Sequence, residues 1–151
     1  MTHILYYNLT WRWFLLNLTE VYKKISDANI KLFSYDIPKI KAASIEIDKK
    51  YGIFINHKQI DNSDEEFMVA THEYGHCKSG ATHKLNSKYD LICKHEYKAN
   101  RQAVLEFLPI ELIKKALNSG CIHTHEFAEY LDMPEGFVRL AFKHYKAMDL
   151  I

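Results

Sequence analysis

Residues 63–80 read SDEEFMVATHEYGHCKSG and carry the start and stop signals of one helix. Ser63 can accept a hydrogen bond from a free backbone N–H of the first turn, and Glu66 can reach back to the serine, which together form a capping box. Ser79 and Gly80 predict the C-terminus of the helix, because glycine readily adopts the left-handed conformation that ends many helices. The stretch is therefore predicted to be a single capped helix.

Within this helix, the segment His72-Glu-Tyr-Gly-His76 is an H-E-x-x-H motif. Residues four apart lie on one helix face, about 6 Å apart along the axis, so both imidazoles can bind one Zn²⁺. Glu73 follows His72 and should lie beside the metal, where it can take a proton from bound water and pass it to a leaving amine. A catalytic zinc lowers the pKa of that water to about 7. The motif predicts one zinc ion per chain, with Glu73 as general base.

The third zinc ligand must come from outside the motif, because a catalytic zinc takes three protein ligands and keeps one position for water. Glu96 occupies the apolar stripe of a helix predicted over about 90–108, where an unpaired carboxylate would be unfavourable. His83 is the alternative, since the sequence after His76 resembles the longer motif H-E-x-x-H-x-x-G-x-x-H. Its spacing is one residue too long, because Gly80 and His83 come four and seven residues after His76. Glu96 is therefore the favoured ligand.

Other polar residues are candidates for supporting roles around this site. Asn100 lies one turn after Glu96 and can hydrogen-bond the back of a ligand histidine, which would fix the tautomer of that histidine. An oxyanion formed during peptide hydrolysis needs a hydrogen-bond donor near the developing charge. Three side chains are candidates for that donor: His83, Tyr89 and His95.

Apolar periodicity predicts a packing helix and a β-hairpin before the motif. Three- and four-residue steps place one apolar face on a helix from about Thr10 to Asn29. The residues of that face are Trp11, Phe14, Leu15, Leu18, Val21, Tyr22, Ile25 and Ala28. Beyond Pro38 the period becomes two, which is typical of strands. The alternating residues are Ala43, Ile45 and Ile47 on one side of the first strand, and Ile53 and Ile55 on one side of the second.

Three shorter helices are predicted after the helix that carries Glu96. Pro109 is expected to open the first, which should stop near Gly120. Thr124 is the predicted cap of the next helix, and Asp132-Met-Pro-Glu135 is the start signal of the last. The final two helices are predicted to form a hairpin with the shape of a helix-turn-helix.

Composition indicates one folded, soluble domain. The chain has 151 residues, 48% of them hydrophobic, and 20 basic against 19 acidic side chains. A net charge of +1 gives no support for nucleic-acid binding, which normally leaves a basic excess. No apolar run is long enough for a membrane helix, and the start of the chain lacks the pattern of a secretory signal. These features predict a cytoplasmic protein.

The cysteines fit the same prediction. Three cysteines at unrelated spacings, Cys77, Cys93 and Cys121, do not resemble a disulfide framework and favour a reducing compartment. Cys77 and Cys93 flank the proposed zinc ligands but are not expected to share their helix faces. Both are interpreted as small buried residues and not as ligands.

Two segments, Phe67–His76 and Glu96–Pro109, resemble the ImmA/IrrE family of metallo-endopeptidases. In that family a phenylalanine shortly precedes the H-E-x-x-H motif, and a downstream helix carries a glutamate ligand in a Glu-x-x-Ala-Asn context. The resemblance spans about Ile30 to Leu117. It implies an α+β, zincin-like fold that is mainly helical, with a small antiparallel sheet or hairpin before the zinc-binding helix.

Carried over residue by residue, the resemblance assigns His72, His76 and Glu96 to zinc and Glu73 to catalysis. Residues 1–117 would then form a zincin-like metallopeptidase domain, and residues 118–151 a helical hairpin appended to the same compact unit. The implied function is endoproteolysis of a specific protein substrate, a helix-turn-helix repressor of a phage or mobile element. No membrane partner is expected, and direct nucleic-acid binding is not expected either.

Two alternatives remain open at the level of sequence: a catalytically silent, peptidase-shaped partner that resembles an antitoxin, and a regulatory binding module. Zinc could hold together a regulatory module that binds a repressor or DNA without proteolysis, through the hairpin from Thr124 to about Met148. The basic residues available on the last helix are Arg139, Lys143, His144 and Lys146. A closed zinc site with a fourth protein ligand, His83 or His95, would favour this alternative.

Overall fold

A computed structural model describes residues 18–36, 38–82 and 89–151 of the chain. Within these ranges the chain forms six α-helices, one 3₁₀ turn and a three-stranded sheet. In chain order they are α1 Leu18–Asp27, β1 Lys31–Ser34, β2 Ala42–Ile47, β3 Lys50–Ile55, the 3₁₀ turn His57–Gln59, α2 Ser63–Ser79, α3 Tyr89–Phe107, α4 Ile110–Asn118, α5 Thr124–Leu131 and α6 Glu135–Ala147. The predicted α+β class and its mainly helical character are confirmed.

The sheet is mixed and has the strand order β1-β3-β2. The predicted hairpin is confirmed, because β2 and β3 pair antiparallel across a turn in which Asp48 and Lys49 both have positive φ. Two successive positive φ values give the turn a twist that suits adjacent strands. The purely antiparallel sheet is wrong, because β1 pairs parallel with β3. A four-residue strand has too few side chains to show an alternating pattern, and its pairing is decided by tertiary packing.

The two faces of the hairpin have different environments. Ile53 and Ile55 share one face and are fully buried. Ala43, Ile45 and Ile47 also share a face, as predicted, but their register places that face on the opposite side of the sheet. Ile47 is 68% exposed there. The alternation of apolar residues therefore predicted correctly which side chains share a face of the hairpin. It did not predict which of the two faces is covered by the core.

The cap of α2 differs by one residue from the predicted capping box. Asn62, not Ser63, accepts the capping hydrogen bond, from the backbone N–H of Glu65 at 2.9 Å. The carboxylate of Glu65 in turn accepts from the backbone N–H of Asp61 at 2.8 Å. Glu66 is therefore not part of the cap. Asparagine is as good a capping residue as serine, so the sequence alone did not separate the two registers.

The other helix boundaries lie close to their predicted positions. Gly80, with φ of 63°, follows the end of α2, and α3, α4 and α6 begin and end near the expected residues. The cap of α5 is His123 and not Thr124, because the helix itself begins at Thr124. The backbone N–H of His123 donates to the carboxylate of Glu126 at 2.8 Å, and this hydrogen bond stabilises the first turn of the helix.

The described part of the first predicted helix is confirmed. It runs as α1, and Val21 and Ile25 of the predicted apolar face are buried in the core. The remaining part of that prediction, residues 10–17 with Trp11 and Phe14, lies outside the described residues.

One hydrophobic core extends from the sheet to the C-terminal helices. Phe67 of α2 packs edge-on against Phe107 of α3 and Phe137 of α6, at centroid distances of 6.4 and 5.1 Å. The hydroxyl of Tyr145 on α6 donates to the backbone oxygen of Leu108 at 2.8 Å. Residues of 118–151 thus share a core with residues of 1–117, and the domain boundary between them stays a prediction. No described helix is both long and apolar enough to cross a membrane.

Candidate metal centre

Helices α2 and α3 bring together His72, His76 and Glu96. The Nε2 atoms of the two histidines lie 3.0 Å apart. One carboxylate oxygen of Glu96 lies 3.1 Å from Nε2 of His72, and the other lies 3.3 Å from Nε2 of His76. Among the described residues, these three form the group whose side chains could together hold a metal ion.

The backs of both imidazoles are held by oxygen atoms. Nδ1 of His72 lies 2.9 Å from the side-chain oxygen of Asn100, and Nδ1 of His76 lies 2.7 Å from the backbone oxygen of Ala81. A carbonyl oxygen only accepts hydrogen bonds, so each Nδ1 donates its proton there and Nε2 is the ring nitrogen that remains to bind a metal ion. The side chain of Asn100, the predicted partner of a ligand histidine, thus lies next to His72. Ala81 was missed, because a backbone carbonyl has no signature in the sequence.

The result is a cluster of two ring nitrogens and a carboxylate that can all act as metal ligands. Two Nε2 lone pairs and a carboxylate face one another, an arrangement that a cation stabilises. Burial lowers the pKa of His76, which disfavours a proton as that cation. Ligands about 2.0 Å from a tetrahedral metal are about 3.3 Å apart, and the two Nε2 atoms are 3.0 Å apart, with one oxygen of Glu96 at 3.1 Å from the first and its other oxygen at 3.3 Å from the second. The residues present therefore fit a tetrahedral metal ion.

Glu73 lies beside this cluster and not within it. Glu73 is only 9% exposed, and it lines a cavity together with His72. Among the described residues, no hydrogen bond or ion pair engages its carboxylate. A carboxylate in this position is available to a water molecule or substrate in the cavity.

The approach of α3 to α2 depends on Gly75, inside the motif. A Cβ at position 75 would lie only 2.8 Å from the carbonyl carbon of Ala99 and would clash with the attached oxygen. Ala99 lies three residues after Glu96, so the same contact sets the height of Glu96 beside the histidines. The second of the two variable positions of H-E-x-x-H is thus occupied here by the one residue without a side chain.

The cysteines have different environments. Cys77 is buried as predicted, and burial raises the pKa of its thiol to about 12. The prediction that Cys93 is buried is wrong, because it lies on an exposed part of α3. The N-terminal part of α3 is more exposed than its middle, where Ala99 and Ala103 are buried.

Of the three oxyanion candidates, the structure describes the side chain of one. His95 is half-buried on α3 and is not part of the three-residue group. His83 and the side chain of Tyr89 lie outside the described residues.

The basic residues of α6 do not form one continuous face. His144 is 3% exposed, and burial lowers the pKa of its imidazole. Arg139 forms an ion pair with Glu135 one turn earlier, with an N–O distance of 3.1 Å. Only Lys143 and Lys146 of the four basic candidates are then exposed and without a described ionic partner. This reduces the support for the DNA-binding alternative.

Comparison with known proteins identifies no relative. No protein-family model, no curated protein and no solved structure matches the chain. The resemblance to the ImmA/IrrE family therefore rests on the motif residues given above, and the geometry of the site carries the functional argument.

Proposed function

We propose that this protein is a zinc-dependent endopeptidase of the ImmA/IrrE type, with a zincin-like fold. The observation that carries the proposal is the convergence of the His72, His76 and Glu96 side chains in one cluster, with Glu73 on the wall of an adjoining cavity. Nitrogen and carboxylate ligands of this kind suit zinc, and three of them leave a fourth position for water or substrate.

Zinc in this position would act as a Lewis acid towards the peptide carbonyl and would lower the pKa of a water molecule. His72 and His76 would hold it through Nε2, with their tautomers fixed by Asn100 and Ala81. Glu96 would supply the third ligand and offset part of the positive charge.

Glu73 performs the proton transfers in this proposal. Its carboxylate accepts a proton from the water as the water oxygen bonds to the peptide carbonyl carbon. The C–N bond then breaks, and Glu73 delivers the proton to the departing amine nitrogen. The carboxylate is regenerated after each turnover, so the reaction consumes only peptide and water.

The exposure of the ligands indicates the side from which a substrate approaches. The side chains of His72 and Glu96 are 28% and 40% exposed, whereas that of His76 is 6% exposed. A peptide would therefore reach the site past His72 and Glu96, with His76 at the closed end.

The substrate proposed is a helix-turn-helix repressor of a phage or mobile element, as the family resemblance implies. A cytoplasmic location is part of the same proposal, and the free thiols of Cys77, Cys93 and Cys121 are compatible with a reducing compartment.

Native mass spectrometry of the purified protein tests the metal centre. We expect one zinc per chain in the wild type and in His83→Ala, and a large loss of zinc in Glu96→Ala. Glu111→Ala, which removes an exposed carboxylate on α4, is the matched control and should retain the metal. Loss of zinc in His83→Ala alone would move the third ligand to His83.

A cleavage assay on candidate repressors then separates the enzyme from the binding module. The zinc-loaded wild type should cut its substrate, and a chelator should abolish the cut. Zinc binding combined with repressor or DNA binding, but without cleavage, would contradict the proposed enzyme and favour the regulatory module.

A further inference from the structure

A cavity of about 290 Å³ opens directly beside the proposed metal centre. It lies between α2, α3, α6 and the start of β2. His72 and Glu73 form part of its wall. The apolar part of the wall consists of Ala42, Met68, Val69, Ala103, Phe137 and Leu140. A group bound at the metal centre would therefore have an apolar space immediately next to it.

Most polar groups that line this cavity are already engaged. The hydroxyl of Thr71 donates to a backbone oxygen one turn earlier, at 2.8 Å. The side-chain oxygen of Asn100 holds a ligand histidine, and the ammonium group of Lys41 forms an ion pair with Glu65. Glu73 is then the remaining charged group on the wall without such a partner among the described residues. The wall of the cavity is mainly apolar, and Glu73 is the charged group on it that remains available to a bound group.

We infer that this cavity accepts one large apolar side chain of the peptide substrate, from one of the two residues joined by the scissile bond. The inference rests on the proposed function and specifies its substrate class. The volume lies at the lower end of the range for ligand pockets, which fits one side chain better than a larger group. An acidic side chain would be repelled by Glu73, and a basic one would pair with it and block its action as a base.

Leu140 is the residue through which the cavity is best tested. It is half-buried on α6, a helix that carries none of the proposed metal ligands. Leu140→Trp should fill the cavity from the part of its wall that α6 supplies. Arg139→Trp adds the same indole on the neighbouring exposed position of α6 and is the matched control.

The test uses two hydroxamates, which bind zinc through their oxygen atoms and differ only in the attached arm. Acetohydroxamate carries a methyl group, and 3-phenylpropanohydroxamate carries an aromatic arm long enough to enter the cavity. Calorimetry on zinc-loaded protein gives both dissociation constants. In the wild type and in Arg139→Trp, we expect the aromatic compound to bind roughly tenfold more tightly or better, because its arm is removed from water.

In Leu140→Trp the advantage of the aromatic arm should fall to about twofold or less, while acetohydroxamate binds as in the wild type. If Leu140→Trp does not fold, Leu140→Ala replaces it. That variant widens the cavity and should favour a naphthyl arm over a phenyl arm more than the wild type does.

The outcomes distinguish failure of the inference from failure of the proposed function. Equal binding of the two hydroxamates by the wild type, or a preference that Leu140→Trp and Leu140→Ala both leave unchanged, would overturn the apolar subsite and leave the peptidase standing. Binding of neither hydroxamate to protein that holds zinc would show a closed site. That result would overturn both.

Discussion

Helix α2 packs against α3, and α5 packs against α6. The two contacts bury different kinds of group. Where α2 meets α3, Gly75 lies against the backbone of Ala99, and the ligand atoms converge nearby. Between α5 and α6 the contact is apolar, with the ring of Phe127 edge-on to that of Phe142 at 5.0 Å.

Because of this difference, we expect the α2–α3 contact to determine metal binding and the α5–α6 contact to contribute mainly to stability. Acceptor atoms that face one another contribute little to folding without a cation, but they make a metal centre possible. Buried aromatic rings contribute to folding through the area they remove from water. Substitutions at the α2–α3 contact should therefore affect metal binding and catalysis most, and substitutions between α5 and α6 should affect stability most.

Glu73→Gln is expected to have the largest effect. The amide cannot accept the proton of the attacking water, so kcat should fall about 10²- to 10⁴-fold. Zinc content by mass spectrometry and the free energy of unfolding by urea titration should stay close to wild type. Cleavage at the normal rate would show that Glu73 is not the general base.

Phe127→Ala should cause the largest loss of stability. Phe127 is 2% exposed, and truncation of a buried phenylalanine lowers the free energy of unfolding by about 3–5 kcal/mol. Urea titration measures this loss, and Ile122→Ala, at a position that is 78% exposed, should change it by less than about 0.5 kcal/mol. The residual folded fraction of Phe127→Ala should still bind zinc. A specific loss of zinc from folded protein would contradict the proposed separation.

Gly75→Ala should weaken the metal site and the fold together. The new methyl group would force α3 away from α2, with a cost of about 1–3 kcal/mol in the free energy of unfolding. The same movement displaces Glu96, so zinc affinity should fall in an isothermal titration.

Gly136→Ala is the matched control for this substitution. The nearest atom to its new Cβ is 3.9 Å away, on the flexible side chain of Met68. The change should be neutral or should stabilise α6 by up to about 1 kcal/mol, because alanine is the better helix former. Equal behaviour of the two alanine variants would contradict the role of Gly75.

His144 should produce the smallest effect, visible only as a pH dependence. Its Nδ1 atom is buried without a hydrogen-bond partner among the described residues, and the aromatic ring of Tyr97 lies 4.8 Å from the imidazole. Burial, with smaller contributions from Lys143 and Arg101, lowers the pKa of His144 in the folded protein. The unfolded chain therefore binds the proton more readily than the folded one.

Because of this difference, stability that is present above about pH 6.5 should be lost as the pH falls, by at most about 1.4 kcal/mol per pH unit from this group. Urea titrations of wild type and His144→Leu between neutral pH and about pH 5 measure the difference. The leucine variant should have the flatter profile. Parallel profiles for the two proteins would show that His144 does not contribute.

Much of the helical part of the fold could be predicted from local signals. Gly80 and Pro109 lie at helix boundaries, where the left-handed conformation open to glycine and the fixed φ of proline are favoured by the backbone itself. Strand β1 could not be found in this way, since its four residues obtain their hydrogen bonds from a parallel strand whose residues lie 21 positions further along the chain. The side of the hairpin that is covered was equally undetermined, because both faces carry apolar residues.

The same distinction between local sequence signals and tertiary packing applies to the candidate site. The sequence by itself determined that His72 and His76 share a helix face with Glu73 beside them, because the helical repeat alone places residues four apart together. It also favoured Glu96 as a partner, because a carboxylate on an apolar stripe needs one. Only the tertiary structure brought the carboxylate within 3.3 Å of both imidazoles, through the contact of Gly75 with another helix. The Ala81 carbonyl and the apolar cavity likewise arise where separate elements meet, and no periodicity within one segment encodes such a meeting.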